Sequence, residues 1–467
     1  MNEMTDAKKA KLEQRIQEIM NDANARGLAA AVIDSKGNTL YQNFFGYKDA
    51  EQKTLIDEDT LFGLASVTKS FTALSIMQMA REGIISLDDP VSKYVPEFTN
   101  KNQTEPVRIW HLLCHSGGFF PLPRIIVPEL VKSMGIEDTP EDEIIYNKAF
   151  ADEAVRLVAE RLDEQTDLIG RPGELMSYCN DGYGLLSDII RRYSDCDSFA
   201  EYLEKHILGP LDMTRSNISF IRSTLDDNVE TLYTLEDGKW RIDKDFQNDA
   251  FVLNGGGAMK STLADLKKYM AMYLNEGRGL NGAEIADGYT VHEMCKPRQY
   301  ERPGVWYGYG LETKLVGDMS VHQHGGSLPG VSSNIAFSED ADIAVIVLCN
   351  TMDVPVSVIS DMIFRTMTGL QLESERPEHV PYDWNEDFKK KIIGTYASGE
   401  GDTIKLSLDN GNVKMTVNDN PTKLKPIYPK KGLVRKTYSD MYLQFIETPE
   451  RGIYAARYGT RIFPKTK

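Results

Sequence analysis

Phe62-Gly63-Leu64-Ala65-Ser66-Val67-Thr68-Lys69-Ser70-Phe71-Thr72-Ala73 opens a strongly apolar segment that runs from Val67 to Arg81 and closes at Gly83. Phe71, Leu74, Ile76, Met77 and Met79 put apolar side chains all round a helix of that length, which predicts a helix inside a core, not one on a surface. Ser66 and Lys69 stand at its entrance, and Ser-x-x-Lys occurs once in the chain. On a helix, positions i and i+3 share a face, so Lys69 can bring its ammonium beside the Ser66 hydroxyl. First-turn N–H groups are free there, and the helix dipole favours negative charge. One turn can thus supply a nucleophile, a cationic activator and half an oxyanion hole. An N-cap serine followed by an exposed lysine would spell the same four letters, so the surroundings decide.

Upstream, Ala7 to Ala25 is a polar helix with one apolar stripe at Leu12, Ile16 and Ile19. Two strands follow, Leu28–Ile33 and Thr39–Phe45, about the turn Asp34-Ser35-Lys36-Gly37. Downstream, amphipathic segments near 149–161, 181–193 and 198–206 predict helices. Short strands at His322–His324, Ser333–Phe337 and Ile343–Cys349 precede a helix at about 355–368. This order predicts an α+β fold: an antiparallel sheet assembled from both ends of the chain, flanked by helices, with a helical subdomain inserted. Residues Gln371 to Trp384 hold two prolines and many charges and predict a linker. Beyond it the pattern turns to period two. Ile404, Leu406 and Leu408 alternate with polar residues up to Asn410-Gly411, and Val413, Met415 and Val417 alternate after it, a hairpin signature. Further strands are expected at 423–428, 432–437, 441–446 and 452–457, giving a small barrel or curled sheet. The division expected is 1–370, a linker at 371–385, and an all-β domain at 386–467.

The nucleophile segment resembles that of the serine β-lactamase and penicillin-binding-protein superfamily, in particular the branch of class C β-lactamases, D-aminopeptidases, alkaline D-peptidases and related esterases. Leu112-Leu113-Cys114-His115-Ser116-Gly117-Gly118 is similar to the L-L-x-H-T-S-G segment, departing from it at Ser116 and Gly117. Pro172-Gly173, Tyr178-Cys179-Asn180 and Tyr183-Gly184-Leu185-Leu186 match the P-G … Y-x-N … Y-x-L-L block. Gly256-Gly257 and Ser261-Thr262-Leu263-Ala264-Asp265-Leu266 resemble the G-G … S-T-x-x-D-L block, and His324-Gly325-Gly326 stands in place of K-T-G. The resemblance covers roughly residues 8 to 370, and implies a β-lactamase/transpeptidase-like α/β sandwich. The C-terminal part resembles the lipocalin-like appendages of some relatives, expected to shape the cleft or mediate assembly.

Tyr-x-Asn occurs three times, but Tyr41 lies on a hairpin and Tyr273 inside a helix, both expected to be packing residues. Only Tyr178 follows Pro-Gly and lies between Ser66 and His324, so it is the expected catalytic tyrosine. An ordinary tyrosine is a poor base at neutral pH. A neighbouring Lys69 ammonium is expected to lower its pKa, so that Tyr178 and Lys69 take the Ser66 proton and return it to the leaving group. By resemblance, Asn180 orients Lys69 and the substrate amide, and the Ser327 N–H is the second oxyanion donor. Histidine at 324, replacing a lysine that engages a substrate carboxylate, predicts weak or pH-dependent recognition and poor β-lactam hydrolysis. Gly325 and Gly326 are expected to let a substrate backbone approach the strand.

His111 with His115, and His322 with His324, could be metal ligands by spacing, but the Glu of H-E-x-x-H is missing, and a structural role is expected. Gly255-Gly256-Gly257 lacks the strand-to-helix context of a phosphate loop. No cofactor and no metal are expected.

The chain of 467 residues carries a net charge of −17, against nucleic-acid or anionic-membrane binding. From Glu386 to Lys467 there are 16 Lys/Arg and 9 Asp/Glu, a net +7, leaving −24 on the rest, a split expected to help dock the two units. Five cysteines without C-x-x-C spacing fit reduced thiols. No apolar h-region opens the chain and no run of about 18 apolar residues occurs, so a cytoplasmic protein is expected. The expected function is a serine hydrolase acting through a Ser66 acyl-enzyme on small peptides or amides, with D-configured residues suggested by the resemblance. A carboxylesterase of the same fold and a non-catalytic relative binding peptidoglycan fragments or a protein partner are the alternatives, and a homo-oligomer is compatible with any of them. The stretch from Phe119 to Arg171 is acidic and expected to border the cleft.

Overall fold

Strand Gly27–Ile33 is buried along its whole length, and its residues divide by parity. Leu28, Ala30 and Val32 join one hydrophobic cluster, while Ala29, Ala31 and Ile33 join another. Such a strand has to lie inside a layered sheet, covered on both sides. In the computed structural model, which describes residues 5–123, 127–138, 144, 147–218, 227–243, 246 and 254–466, it does.

The sheet has nine strands, in the spatial order Thr54–Leu55, Thr39–Asp49, Gly27–Ile33, Ile343–Cys349, Val331–Ser338, Met319–Leu328, Glu312–Val316, Val305–Tyr307 and Gln299–Arg302, all paired antiparallel. The N-terminal hairpin and the late strands meet where Leu28 pairs with Cys349 and Ile33 with Ala344. One face is covered by helices Asp6–Asp22 and Val356–Met367, the other by the Thr68–Arg81 helix and the helical subdomain. The antiparallel sheet built from both chain ends, expected from the order of elements, is thus observed. A small hairpin, Leu232–Glu236 with Lys239–Asp243, is not among the expected strands, although Asp237-Gly238, both at positive φ, and the alternation of Trp240 and Ile242 with charged residues carry its signal.

The Thr68–Arg81 helix is buried from Thr68 through Met79, with Phe71 stacked on Tyr269 at 3.9 Å. It begins one residue later than the apolar pattern predicts. Ala65–Val67 form a 3-10 turn ahead of it, entered through Ala65 at φ +48°. Ser66 lies in that turn and Lys69 in the first turn of the helix after it, three residues on and on the same side.

Past Gly394 the strands follow each other as a meander: a four-stranded sheet, then a five-stranded one. The first and last strands meet where Tyr396 bridges Lys465. Asn410 and Gly411 both have positive φ, +49° and +76°, the conformation a two-residue type I′ hairpin requires. Trp384, placed in the linker by composition, is buried among Phe388, Met415, Phe445 and neighbours, and its indole N–H donates to Tyr428 O at 2.9 Å. The meander is fastened to the 119–171 region through a cluster of Phe120, Ile169, Ala455 and Ile462, with Tyr454 Oη donating to Ile169 O at 2.6 Å. Among the described residues no helix is long and apolar enough to cross a membrane.

Candidate active site

Ser66 is the partly exposed residue in a run of buried ones. Lys69 is fully buried beside it, and its Nζ reaches three oxygens: Ser66 Oγ at 3.3 Å, Asn180 Oδ1 at 2.8 Å and Gly256 O at 2.6 Å. As an ammonium, Lys69 would donate to all three. As a neutral amine, it donates to the carbonyl and the amide oxygen and keeps a lone pair for the Ser66 proton. Burial, and after it the positive charge of Arg461, push Lys69 well below the ordinary ammonium range, which favours the neutral amine.

Tyr178 is buried, with Lys69 Nζ 4.7 Å from its ring centre. The expectation that Lys69 makes Tyr178 acidic is corrected here. Removal from water pushes the phenol above its ordinary range, and the charge that opposes this comes first from Arg461, not from Lys69. Lys69 is thus tilted to the free amine and Tyr178 to the phenol.

The Tyr178 segment is held by His115. Ser177 N donates to His115 O at 2.9 Å, Cys179 N donates to His115 Nδ1 at 3.1 Å, and the His115 and Tyr178 rings lie 4.1 Å apart. His111 is likewise occupied, its Nδ1 accepting from Arg108 N. Neither imidazole nitrogen so engaged is open to a metal. Among the described residues the one metal-ligand grouping is Asp195, Cys196 and His206, where the Asp195 carboxylate already pairs with Lys205 and His206. Tyr41 and Tyr273, the other tyrosines in Tyr-x-Asn triplets, are packing residues as expected, buried in the two main clusters.

Strand Met319–Leu328 passes the 3-10 turn of Ser66 on its other side. Strand Glu312–Val316 pairs with it only as far as Gln323, so from His324 to Leu328 that edge has no strand partner among the described residues. This leaves an open edge beside Ser66, with Gly325 and Gly326 partly exposed and Ser327 exposed. The two glycines differ in what they serve. A Cβ on Gly326 would collide with Leu64 O and Ser333 Oγ, so its absence lets the strand press against the residues before Ser66; a Cβ on Gly325 meets only ordinary contacts. The shared role expected of the pair, close approach by a substrate, therefore does not account for Gly326.

His324 is also corrected. Its ring is buried, with Nδ1 2.7 Å from Gly325 O and Nε2 2.8 Å from Tyr307 Oη. A carbonyl only accepts, so Nδ1 carries the hydrogen and Nε2 accepts from the tyrosine. Burial lowers its pKa to about 4. It is a neutral buttress at physiological pH, and the pH-dependent carboxylate recognition expected of it has no support.

Three contributors to the site were missed. Gly256 serves through its carbonyl. Arg461, with its guanidinium carbon 4.3 Å from the Tyr178 ring centre, and Glu400, whose Oε1 accepts from Asn180 Nδ2 at 3.3 Å, come from the C-terminal strands. A basic segment with period-two alternation carries no signal that one arginine among 16 cations points into another region's cleft.

A family model described as Beta-lactamase matches residues 12–365. Penicillin-binding protein 4* of Bacillus subtilis is 24% identical over 411 residues, covering 82% of each chain. Protein flp of Staphylococcus aureus is 31% identical over 187 residues, 40% of this chain and 33% of its own, so the chain spans about a third of that relative's length. Among solved structures, the octameric penicillin-binding protein homologue from Pyrococcus abyssi superimposes with a TM-score of 0.67 at 26% identity, covering 98% of this chain and all of the other.

Proposed function

The chain belongs to the Beta-lactamase family, a family of serine hydrolases, and on that premise we propose that it hydrolyses small peptides or amides through an acyl-enzyme on Ser66. The single observation that carries the reading is the environment of Lys69: a buried amine with two fixed acceptors and one serine hydroxyl as its third neighbour. Ser66 Oγ attacks the substrate carbonyl carbon as its proton passes to the Lys69 lone pair. The oxyanion is received by the Ser66 and Ser327 amides on either side of the cleft. The C–N bond then breaks, and the proton returns through Tyr178 to the leaving amine. Water repeats the sequence on the acyl-enzyme. Asn180 holds Lys69 in place throughout.

Substrates carrying D-residues are our preferred class, on the strength of the motifs shared with D-peptidases and D-aminopeptidases. A neutral His324 leaves the strand without a fixed cation, which fits poor turnover of β-lactams. We further propose that residues from 386 onward, a short helix Glu386–Ile392 followed by β-strands, act as a separate unit whose turns wall the cleft.

The test is labelling by a fluorophosphonate probe, followed by a panel of D- and L-aminoacyl amides, short-chain nitrophenyl esters and a chromogenic cephalosporin. Labelling of wild type that disappears in Ser66→Ala, with D-aminoacyl amides turned over fastest, is the expected result. Labelling that persists in Ser66→Ala would sink the nucleophile assignment. Turnover confined to the nitrophenyl esters would replace the amidase by an esterase.

A further inference from the structure

Arg461 opens the last strand, Arg461–Pro464, and Glu400 lies in the turn between strands Gly394–Ala397 and Thr403–Asp409. Contacts of the neighbouring backbone fix Arg461 against the site, and side-chain contacts fix Glu400. Tyr178 N donates to Thr460 O at 2.9 Å, and Ile462 N donates to Ser177 Oγ at 3.1 Å, so the residues flanking Arg461 are tied to Tyr178 and to its neighbour. Arg461 Nε donates to Glu400 Oε2 at 3.0 Å, and Nη1 to Thr460 Oγ1 at 2.7 Å. Glu400 Oε1 takes Asn180 Nδ2, and Asn180 Oδ1 takes Lys69 Nζ. A chain of charged and polar contacts therefore runs from Arg461 through Glu400 and Asn180 to the lysine.

The same arginine also acts directly. Its guanidinium carbon is 4.3 Å, and Lys69 Nζ 4.7 Å, from the centre of one ring, that of Tyr178. Two cations so placed repel each other. A guanidinium keeps its proton at any working pH, so the amine is the group that yields. Other groups around Lys69 contribute less fixed charge. Cys179 is held as a thiol, its pKa raised to about 12, and burial keeps Tyr178 and Tyr183 as phenols. Burial also keeps His115 and His324 neutral, while Glu312 acts on His324 and Tyr178 from behind. Asp181 is pushed up to about 7 by removal from water and then by Glu400, so it is only partly charged.

We infer that Arg461 and Glu400 are positioning residues of opposite sign, supplied by the C-terminal strands, that tune proton transfer from Ser66 to Lys69. This rests on Ser66 as nucleophile and Lys69 as acceptor. Arg461 favours the free amine. Glu400 restrains that effect and orients Asn180.

The experiment is the rate of fluorophosphonate labelling of the full-length protein as a function of pH, in wild type, Arg461→Gln, Arg461→Lys and Glu400→Gln. Removing the cation lets Lys69 hold its proton to higher pH, so Arg461→Gln should move the acid limb upward by about one pH unit. Glu400→Gln should move it downward, and Arg461→Lys should restore the wild-type limb. A purely structural role would lower the plateau and leave the limb in place. An unmoved limb in Arg461→Gln, or shifts of the same sign in Arg461→Gln and Glu400→Gln, would overturn the inference. Should Arg461→Gln fail to fold, the downward shift in Glu400→Gln carries the test alone. Persistent labelling of Ser66→Ala would instead strike the underlying nucleophile assignment.

Discussion

Ser66 with Lys69 and Glu400 with Arg461 meet around one tyrosine but arrive by opposite routes. The first pair is three residues apart in a single 3-10/α junction, and its geometry follows from helical periodicity. The second pair is separated by the whole meander and reaches Tyr178 only because Thr460 and Ile462 are tied to the backbone and side chain of the 177–178 segment. In the mechanism we propose, the local pair supplies the reacting atoms and the distant pair a field. A local motif can be read from letters, whereas a field has to be read from where the chain ends up.

The largest effect should separate the two pairs. Lys69→Met keeps length and burial but removes the proton acceptor, and should lower Ser66 labelling by on the order of 10²–10⁴ at every pH. Arg461→Gln should leave most of that rate at high pH and lose it only on the acid side. If Lys69→Met labelled at a rate close to wild type, the acceptor would have to be sought elsewhere, with Tyr178 the next candidate.

How much of this was legible follows the same division. The buried Thr68–Arg81 helix, the Gly27–Asp49 hairpin and the Asn410-Gly411 turn were all predicted, because each depends on residues within one element. Tyr178 could be singled out among three Tyr-x-Asn triplets by its neighbours and order. The direction of its titration could not, because burial outweighs the nearby amine, and burial is a property of the assembled fold. The same holds for His324, whose letter suggests a titrating recognition group and whose burial keeps it neutral. Gly256 was noted as a motif, but its part in the site is a backbone carbonyl, which any residue would carry.

A middle-sized effect tests the local side of the comparison through packing alone. Gly326→Ala places a methyl against Leu64 O and Ser333 Oγ, both parts of backbone or buried side chain that give way poorly. Overpacking of this kind costs about 1–3 kcal/mol. It should lower the unfolding midpoint and slow labelling together, since the displaced residues lead directly into Ser66. Gly325→Ala, with ordinary contacts only, should do neither. Equal losses in thermal denaturation and labelling for both variants would show that the strand tolerates no side chain along this edge for a reason other than contact with Leu64.

The smallest effect concerns salt. Net charges of −24 and +7 suggest that the two regions are drawn together electrostatically. The contacts between them argue otherwise. Among the described residues three ion pairs join the regions, Arg451 with Asp167, Arg376 with Asp440 and Lys389 with Asp383, each with one side chain at least 34% exposed. An exposed pair contributes at most about 1 kcal/mol and is screened further by salt. The other contacts include the Phe120, Ile169, Ala455 and Ile462 cluster, Arg457 Nη1 on Tyr300 O and Glu301 O, both at 3.0 Å, and two hydrogen bonds to carboxylates, Asn180 on Glu400 and Tyr438 on Asp22. Apolar burial of this kind does not weaken in sodium chloride. The radius of gyration in solution scattering should therefore change little between low and high salt. The acid limb of labelling should also hold, because Arg461 acts on Lys69 across a buried ring and not through bulk water. A limb that slides in salt toward its position in Arg461→Gln while the radius stays constant would show that the arginine acts through solvent. A radius that grows with salt would show instead that charge holds the meander to the cleft.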